Sequence, residues 1–100
     1  MHSIKECKRF HELTFLQKQG IIKNLKCQQP FIVCDKVQWN QYDSSHKKLT
    51  PIRYISDFVY FDTQKEQMIV EDTKGQRTRL YILKRQLFII RYPEYIFLET

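Results

Sequence analysis

The sequence predicts a single-domain α/β protein with the element order α-β-β-β-α-β. Three observations support this prediction. The 100 residues are enough for one domain, and 42% of them are hydrophobic, which allows a small core. Two segments with helical spacing of apolar residues are separated by three strand-like segments. The second helix is followed by a further strand, and a crossover of this kind favours a parallel strand pair and hence a mixed central sheet flanked by helices.

The first helix is expected to run from Ser3 to about residue 18 or 19. Ser3 can cap its amino end, and Glu6 stands three residues later, as in a capping box. Gly20 supplies the stop. Phe10 and Leu13 lie on one face of this helix, and Glu6 projects onto the same face.

The central strands are expected at residues 21–27, 51–62 and 67–74. Residues 31–34 are a candidate continuation of the first strand after a break at Pro30. Residues 35–50 are polar and rich in turn formers, which predicts a long exposed loop. Gly75 ends the third strand.

The second helix is expected at residues 77–91 and the last strand at 95–99. The helix carries one apolar face, formed by Leu80, Leu83, Leu87 and Ile90. Ile82 and Ile89 lie on its back. They are either a dimer interface or residues that the edge of the sheet buries.

The charge and the cysteine content of the sequence indicate which kind of binding partner and which kind of site to expect. The net charge is +6 and the isoelectric point is about 9.3, which favours an anionic partner, with nucleic acid the first candidate. The three cysteines have no metal-type spacing, so we expect reduced, mostly buried thiols in a cytosolic protein rather than disulfides or a zinc site. No run of apolar residues is long enough for a membrane span or a signal core.

Charged residues interrupt the apolar pattern of the second and third strands. Asp72 and Lys74 are two positions apart, so they share a face of the strand, and Thr73 points away. Asp57 joins them if the two strands pair. Inward charges are costly unless they are paired or bind a metal, so the alternatives are a metal site and a buried Asp72–Lys74 ion pair. The parity of Glu71 places it on the opposite face, either as a solvated acid or as an acid that supports the metal ligands indirectly, rather than as a ligand itself.

A hard divalent cation would suit this set of oxygen ligands, which comprises Asp57, Asp72 and the carbonyl group of Thr73. Such a metal activates water and neutralises a phosphate. Lys74 would act either as the base or as an electrostatic helper, and the sequence leaves both roles open. The spacing of Glu6 fits the capping box and a metal ligand equally well.

Further residues along the chain are candidates for contacts with nucleic acid phosphates. They are Lys47, Lys48, Arg53, Arg77, Thr78 and Lys84. Thr78 could instead cap the second helix, which is the simpler role. Lys84 falls between apolar positions and is expected to point toward the site. Trp39 and Tyr42 in the long loop would either stack on bases or pack the loop down.

The pattern Ser56-Asp57 followed by Asp72-Thr73-Lys74 resembles the PD-(D/E)xK nuclease superfamily, with Ser56 at the place of the motif proline. The chain is also similar to an uncharacterised family of phage-borne nuclease-like proteins. This similarity covers nearly the whole chain and is carried by residues 3–6, 52–58, 70–75 and 84–93. The layout is also similar to that of phage endonuclease I Holliday-junction resolvases.

This resemblance implies a restriction-endonuclease-like core. It implies Glu6, Asp57 and Asp72 as metal ligands, Lys74 as the catalytic lysine, and Mg²⁺ or Mn²⁺ as the cofactor. The expected function is then metal-dependent hydrolysis of double-stranded or branched DNA in the host cell cytoplasm, with a homodimer if the protein resolves junctions. The alternatives are a catalytically inactive DNA-binding module and a structural subunit of a phage complex. RNA stays open as a substrate.

Overall fold

A computed structural model describes residues 4–35, 51–74 and 76–100. Its elements are α1 (Ile4–Lys18), β1 (Ile22–Cys34), β2 (Ile52–Asp62), β3 (Gln67–Asp72), α2 (Arg79–Arg91) and β4 (Ile96–Glu99). The strands form one sheet in the order β1-β2-β3-β4. The first two pairs are antiparallel and β3 runs parallel to β4, so the predicted element order and mixed sheet are confirmed. Neither helix in the described part is long and apolar enough to cross a membrane.

The carboxyl end of α1 lies where the sequence predicts it. Gly20 adopts a φ of 77°, a left-handed conformation that glycine tolerates best. A Cβ atom added at Gly20 would meet no atom within 4 Å, so the backbone conformation rather than a lack of space favours glycine there. The amide of Ile21 then donates to the carbonyl group of Leu16, which closes the last turn.

Strand β1 is continuous, so the predicted break at Pro30 is wrong. Pro30 lies within the strand and pairs with Ile55 of β2. Because β1 is an edge strand, a residue without an N–H group is accommodated on its outer side. The strand is irregular elsewhere, at Asn24 and Gln28, both of which have positive φ.

The sheet separates two apolar clusters, one under each helix. The α1-side core consists of Leu13, Ile22, Phe58, Tyr60 and Ile69. The α2-side core consists of Val33, Tyr54, Val59, Val70, Tyr81 and Phe88. The two clusters alternate over Phe58, Val59 and Tyr60 of β2 and over Ile69 and Val70 of β3, so both faces of these central strands are covered. Polar side chains at the ends of these strands therefore lie next to the apolar core.

The buried face of α2 is aromatic, and the predicted aliphatic face is wrong except at Leu87, which packs against the α2-side core. Tyr81 and Phe88 are the buried residues of this helix, and Phe88 packs its ring against those of Phe31 and Tyr54. Large rings remove more apolar area from water than leucine or isoleucine, so they occupy the contact with the sheet. The predicted face is left largely in solvent, with exposed fractions of 60%, 50% and 76% for Leu80, Leu83 and Ile90.

Of the two residues predicted on the back of α2, Ile82 is packed and Ile89 is exposed. Ile82 packs against the α2-side core together with Leu87, so it belongs to the interior rather than to a free surface. Ile89 is 47% exposed. Of the two predicted alternatives, a dimer interface or burial, burial is therefore confirmed for Ile82. For Ile89 both alternatives stay open.

Candidate functional site

Asp72 ends β3 and is fully buried. The Tyr54 hydroxyl donates a hydrogen bond to its Oδ2 atom. The ammonium of Lys74 lies 3.0 Å from Oδ1, which confirms that the two side chains share a face. The contact is an ion pair without directed hydrogen-bond geometry, and among the described residues no group donates a hydrogen bond to Oδ1. Among the described residues, Oδ1 of this buried carboxylate thus has the Lys74 ammonium as its near neighbour and no further donor.

Lys74 is held by several neighbours. Its ammonium stands over the ring of Tyr81, 4.7 Å from the centroid. Its amide donates to the carbonyl oxygen of Thr100, and its own carbonyl oxygen accepts from the ammonium of Lys5, 3.2 Å away. The side chain remains 30% exposed. Lys74 is therefore fixed near Asp72 but is open to a ligand that approaches from solvent.

Asp57 lies beside Asp72 across the two strands. Phe58 of β2 pairs with Glu71 of β3. Because the two strands are antiparallel, Asp57 and Asp72 occupy the next pair of facing positions. The Oδ2 atom of Asp57 accepts from the amide of Thr73 at 2.8 Å and from its hydroxyl at 3.0 Å. The structure thus brings Asp57, Asp72 and Lys74 together, as the sequence predicts. The prediction that Thr73 points away is wrong, because its buried hydroxyl donates to Asp57.

The motif position before Asp57 also has a structural role. Ser56 is fully buried, and its hydroxyl donates to the carbonyl oxygen of Gln29 on β1, 3.1 Å away. A proline at this position could not make that contact. The serine therefore ties β2 to the edge strand next to the aspartate.

Burial sets the protonation of Asp72. Removal from water raises its pKa to about 6, and the negative charge of Asp57 acts in the same direction. The Tyr54 hydrogen bond and the Lys74 ammonium oppose this shift by favouring the ionised form. A further positive charge next to Oδ1 would offset the cost of ionisation.

Glu6 lies on the other side of the sheet from Asp72. It accepts a hydrogen bond of 3.0 Å from the side chain of Gln28, and it lines a pocket together with Phe58 of the α1-side core. Asp72, in contrast, is bonded to Tyr54 of the α2-side core. No group of three or more His, Cys, Asp or Glu side chains within residues 4–35, 51–74 and 76–100 is placed to hold a metal ion. The assignment of Glu6 as a ligand stays a prediction.

Glu71 is fully buried, so its prediction as a solvated acid is wrong, although its opposite face is confirmed. It accepts from the guanidinium of Arg9 through both oxygens and from the Tyr60 hydroxyl at 2.7 Å. Thr100 adds a weaker contact. The pairing raises the pKa of Arg9. An arginine one turn before Leu13 on the packed side of α1 was the signal for this contact.

A second ion network was missed by sequence reasoning. Glu99 of β4 accepts from Arg77, at 2.7 Å, and from Arg85 of α2, at 2.9 Å. The Tyr81 hydroxyl donates to the same carboxylate at 2.6 Å. The Arg77 hydrogen bond is the main cause that lowers the pKa of Glu99, to about 2. Arg77 is thus already engaged within the protein.

The other predicted phosphate contacts have different surroundings. Thr78 caps α2, because its hydroxyl accepts from the amide of Tyr81, so the simpler role is confirmed. Arg53 is exposed on β2, and Lys84 is half-buried on α2. Lys47 and Lys48 lie outside the described residues, as do Trp39 and Tyr42.

The cysteines are free, and the prediction that most of them are buried is wrong. Cys7 and Cys27 are exposed, and Cys34 is partly buried. Cys7 lies on α1, and Cys27 lies on the edge strand β1. Two of the three thiols are therefore open to reagents.

In a comparison with protein families, the sequence model of one family matches residues 1–98. The chain belongs to the DUF1064 family. This family is described as "Protein of unknown function (DUF1064)". No curated protein and no solved structure matches the chain. Membership of DUF1064 therefore leaves the activity to be argued from the site.

Proposed function

We propose that this DUF1064 protein is a metal-dependent DNA endonuclease with a restriction-endonuclease-like core. One observation carries the proposal. Oδ1 of Asp72 is buried and accepts no directed hydrogen bond among the described residues, and it lies beside Lys74. A carboxylate oxygen can accept more than one contact, and Oδ1 has only the Lys74 ammonium beside it among the described residues, so it retains the capacity to bind an ion or water. A divalent cation would bind there.

The donor set fits a hard cation. Asp57, Asp72 and the carbonyl group of Thr73 would offer oxygen ligands, which suit Mg²⁺ or Mn²⁺. The bound metal would activate a water molecule and neutralise phosphate charge. Lys74 would orient that water or stabilise the charge that develops on the phosphate. Glu6, on the α1 side, would take part indirectly.

The substrate class follows from charge. The protein carries a net charge of +6, and Arg53 is exposed on the strand that holds Asp57. Basic surface around a carboxylate site favours phosphodiester substrates, because the cations contact phosphates outside the cut position. Branched DNA is one candidate substrate and would require a homodimer. Double-stranded DNA without branches is the other.

One observation favours a second candidate function, DNA binding without catalysis. Lys74 already pairs with Asp72, and no three-residue ligand cluster occurs in the described part of the chain. An ion pair alone could account for these two side chains. In that case the protein would bind DNA as a module or as a structural subunit of a phage complex.

Cleavage assays separate these functions. Purified protein is incubated with supercoiled plasmid and with a synthetic four-way junction, in Mg²⁺, in Mn²⁺ and in EDTA. Wild type is compared with Asp72→Ala and Lys74→Ala, and Glu94→Gln serves as a control because Glu94 is an exposed acid after α2. We expect metal-dependent cutting by wild type and the control, and loss of cutting in both site variants.

The result that overturns the nuclease is equally specific. If folded wild type cuts neither substrate, or if Asp72→Ala cuts as fast as wild type, the carboxylate site is not catalytic. Circular dichroism of each variant verifies folding. Equal DNA binding by wild type and Lys74→Ala, without cutting by either, would establish the binding module.

A further inference from the structure

A pocket of about 280 Å³ lies against α1 and the β1–β2 pair. Its lining consists of Glu6, Cys7, Phe10, His11, Cys27 and Phe58. Burial raises the pKa of the Cys27 thiol, and the nearby charge of Glu6 acts in the same direction. The pocket combines aromatic walls with a few polar side chains, as small-molecule sites do.

We propose that this pocket binds an unpaired nucleobase of the substrate, an inference that rests on the proposed function. Phe10 is 40% exposed although it is aromatic, and its ring lies nearly parallel to that of Phe58, with centroids 6.4 Å apart and an angle of 21°. Exposed aromatic rings are the usual platforms for bases. His11 and Glu6 provide donors and acceptors for the polar edge of a base.

The position of the pocket links it to the candidate site. Phe58, in its wall, directly follows Asp57 in β2. Glu6 directly follows Lys5, whose ammonium donates to the carbonyl oxygen of Lys74. The pocket and the carboxylate site therefore lie on opposite faces of the sheet and are connected through the neighbouring residues Asp57 and Phe58 of β2 and Lys5 and Glu6 of α1.

Charge favours a base over a phosphate inside the pocket. The carboxylate of Glu6 would repel a phosphate group there, whereas a base carries no charge. Exposed lysines, Lys8 and Lys26, directly neighbour the lining residues Cys7 and Cys27 in the chain. They would contact the backbone of the same strand from outside.

The thiols of the pocket provide a direct test. Alkylation of Cys7 and Cys27 by iodoacetamide is followed by mass spectrometry, and Cys34, which does not line the pocket, is the internal control. The probe is a DNA duplex with one bulged adenine, in EDTA. We expect this duplex to protect the two pocket thiols but not Cys34. A fully paired duplex and a duplex with an abasic bulge should protect neither.

Substitution of the aromatic wall tests the stacking. Phe10→Ala should reduce the preference for the bulged over the paired duplex by about 5- to 150-fold, the value of one base stacked on an aromatic ring. Phe15→Ala is the matched control, since Phe15 is a 60% exposed phenylalanine on the same helix outside the pocket. Phe10→Leu keeps apolar volume and should still lose the preference, which covers the case that the alanine variant unfolds.

The outcomes distinguish this inference from the proposed nuclease. Binding is measured in EDTA, so it does not require cutting. Protection by the bulged duplex without cleavage in Mg²⁺ would support the pocket and overturn the nuclease. Cleavage without any difference between the bulged, abasic and paired duplexes would overturn the pocket alone. Equal affinities of wild type and Phe10→Leu for the bulged duplex would also overturn it.

Discussion

The Tyr54 hydroxyl donates to Oδ2 of Asp72 and thereby joins two buried side chains that are 18 residues apart. Burial and the neighbouring carboxylate raise the pKa of Tyr54 far above its ordinary value, so the phenol stays a donor at every accessible pH. The bond fixes the rotation of the carboxylate. As a result, Oδ1 is the oxygen that faces Lys74 and is available to a further ligand.

Removal of the phenol should weaken the site without destroying it. Tyr54→Phe deletes the hydrogen bond to a charged group, which we expect to cost about 1.5–3 kcal/mol of unfolding free energy at neutral pH. It should also raise the pKa of Asp72 above about 6, because the bond favours the ionised form. Urea denaturation and carboxyl NMR titration measure the two effects. Tyr92→Phe, which loses an exposed bond to the carbonyl group of Ile32, should leave the Asp72 pKa unchanged.

The raised pKa of Asp72 predicts a pH-dependent stability. An unfolded aspartate has a pKa of about 3.9, and the native value is about 6. The native state therefore binds more protons between these values, and this group lowers the unfolding free energy as the pH rises from about 4 to above 6. The loss is on the order of 2–3 kcal/mol.

Asp72→Asn should remove this dependence. Urea denaturation of wild type and variant is compared between about pH 4 and 8 in EDTA. We expect the variant to be the more stable at pH 7 and the difference to shrink toward pH 4. Glu94→Gln should follow the wild-type curve. A difference between wild type and Asp72→Asn that does not change with pH would contradict the shifted pKa.

Metal binding gives a readout that is independent of cleavage. If a divalent cation binds the native carboxylates, Mg²⁺ raises the unfolding free energy of wild type by about 2.7 kcal/mol at a hundredfold excess over its dissociation constant. Asp72→Asn should show little of this gain, since it loses a charged ligand. Thermal unfolding in Mg²⁺ and in EDTA checks this. The same increase in both proteins would show that the metal binds elsewhere.

The Arg9–Glu71 pair predicts a large structural cost. Arg9→Met leaves the fully buried Glu71 carboxylate without its cation, which should cost about 3–5 kcal/mol. Arg9 also contacts Glu12, whose side chain is 63% exposed, and Glu12→Gln should cost less than about 1 kcal/mol. Urea denaturation of both variants tests which partner matters. Similar costs for the two would contradict the dominance of Glu71.

The local patterns in the sequence predicted the fold well. Strand alternation, the stop at Gly20 and the crossover before β4 gave the element order and the parallel pair. Parity also placed Asp72 and Lys74 together and Glu71 on the opposite face. These features depend on neighbouring residues in the chain, so spacing is enough to find them.

Features that depend on tertiary contacts were harder to predict. The apolar spacing of α2 fits Leu80, Leu83 and Ile90 as well as the aromatic face, and only the shape of the sheet selects Tyr81 and Phe88. The burial of Glu71 depends on Arg9, which is 62 residues away. The position of Arg9 on the packed side of α1 indicates a buried partner, but local spacing does not identify which acid that partner is.

The two exposed arginines near the site should differ in DNA binding. The side chain of Arg77 is 58% exposed but already pairs with Glu99, whereas no ion pair joins Arg53 to another described residue. A phosphate must compete with Glu99 for Arg77, and the freed carboxylate would then repel the DNA. We therefore expect Arg53→Gln to reduce the slope of log affinity against log salt by about 1, and Arg77→Gln to reduce it by less.

Fluorescence anisotropy with a labelled duplex in EDTA, between about 50 and 200 mM salt, measures these slopes. Lys65→Gln is the matched control, because Lys65 lies in the β2–β3 turn, at the opposite end of β3 from Asp72. We expect Lys65→Gln to keep the wild-type slope, because this variant loses a positive charge that does not contact a phosphate. A larger change for Arg77→Gln than for Arg53→Gln would mean that DNA displaces Glu99, and that Arg77 rather than Arg53 contacts the phosphates.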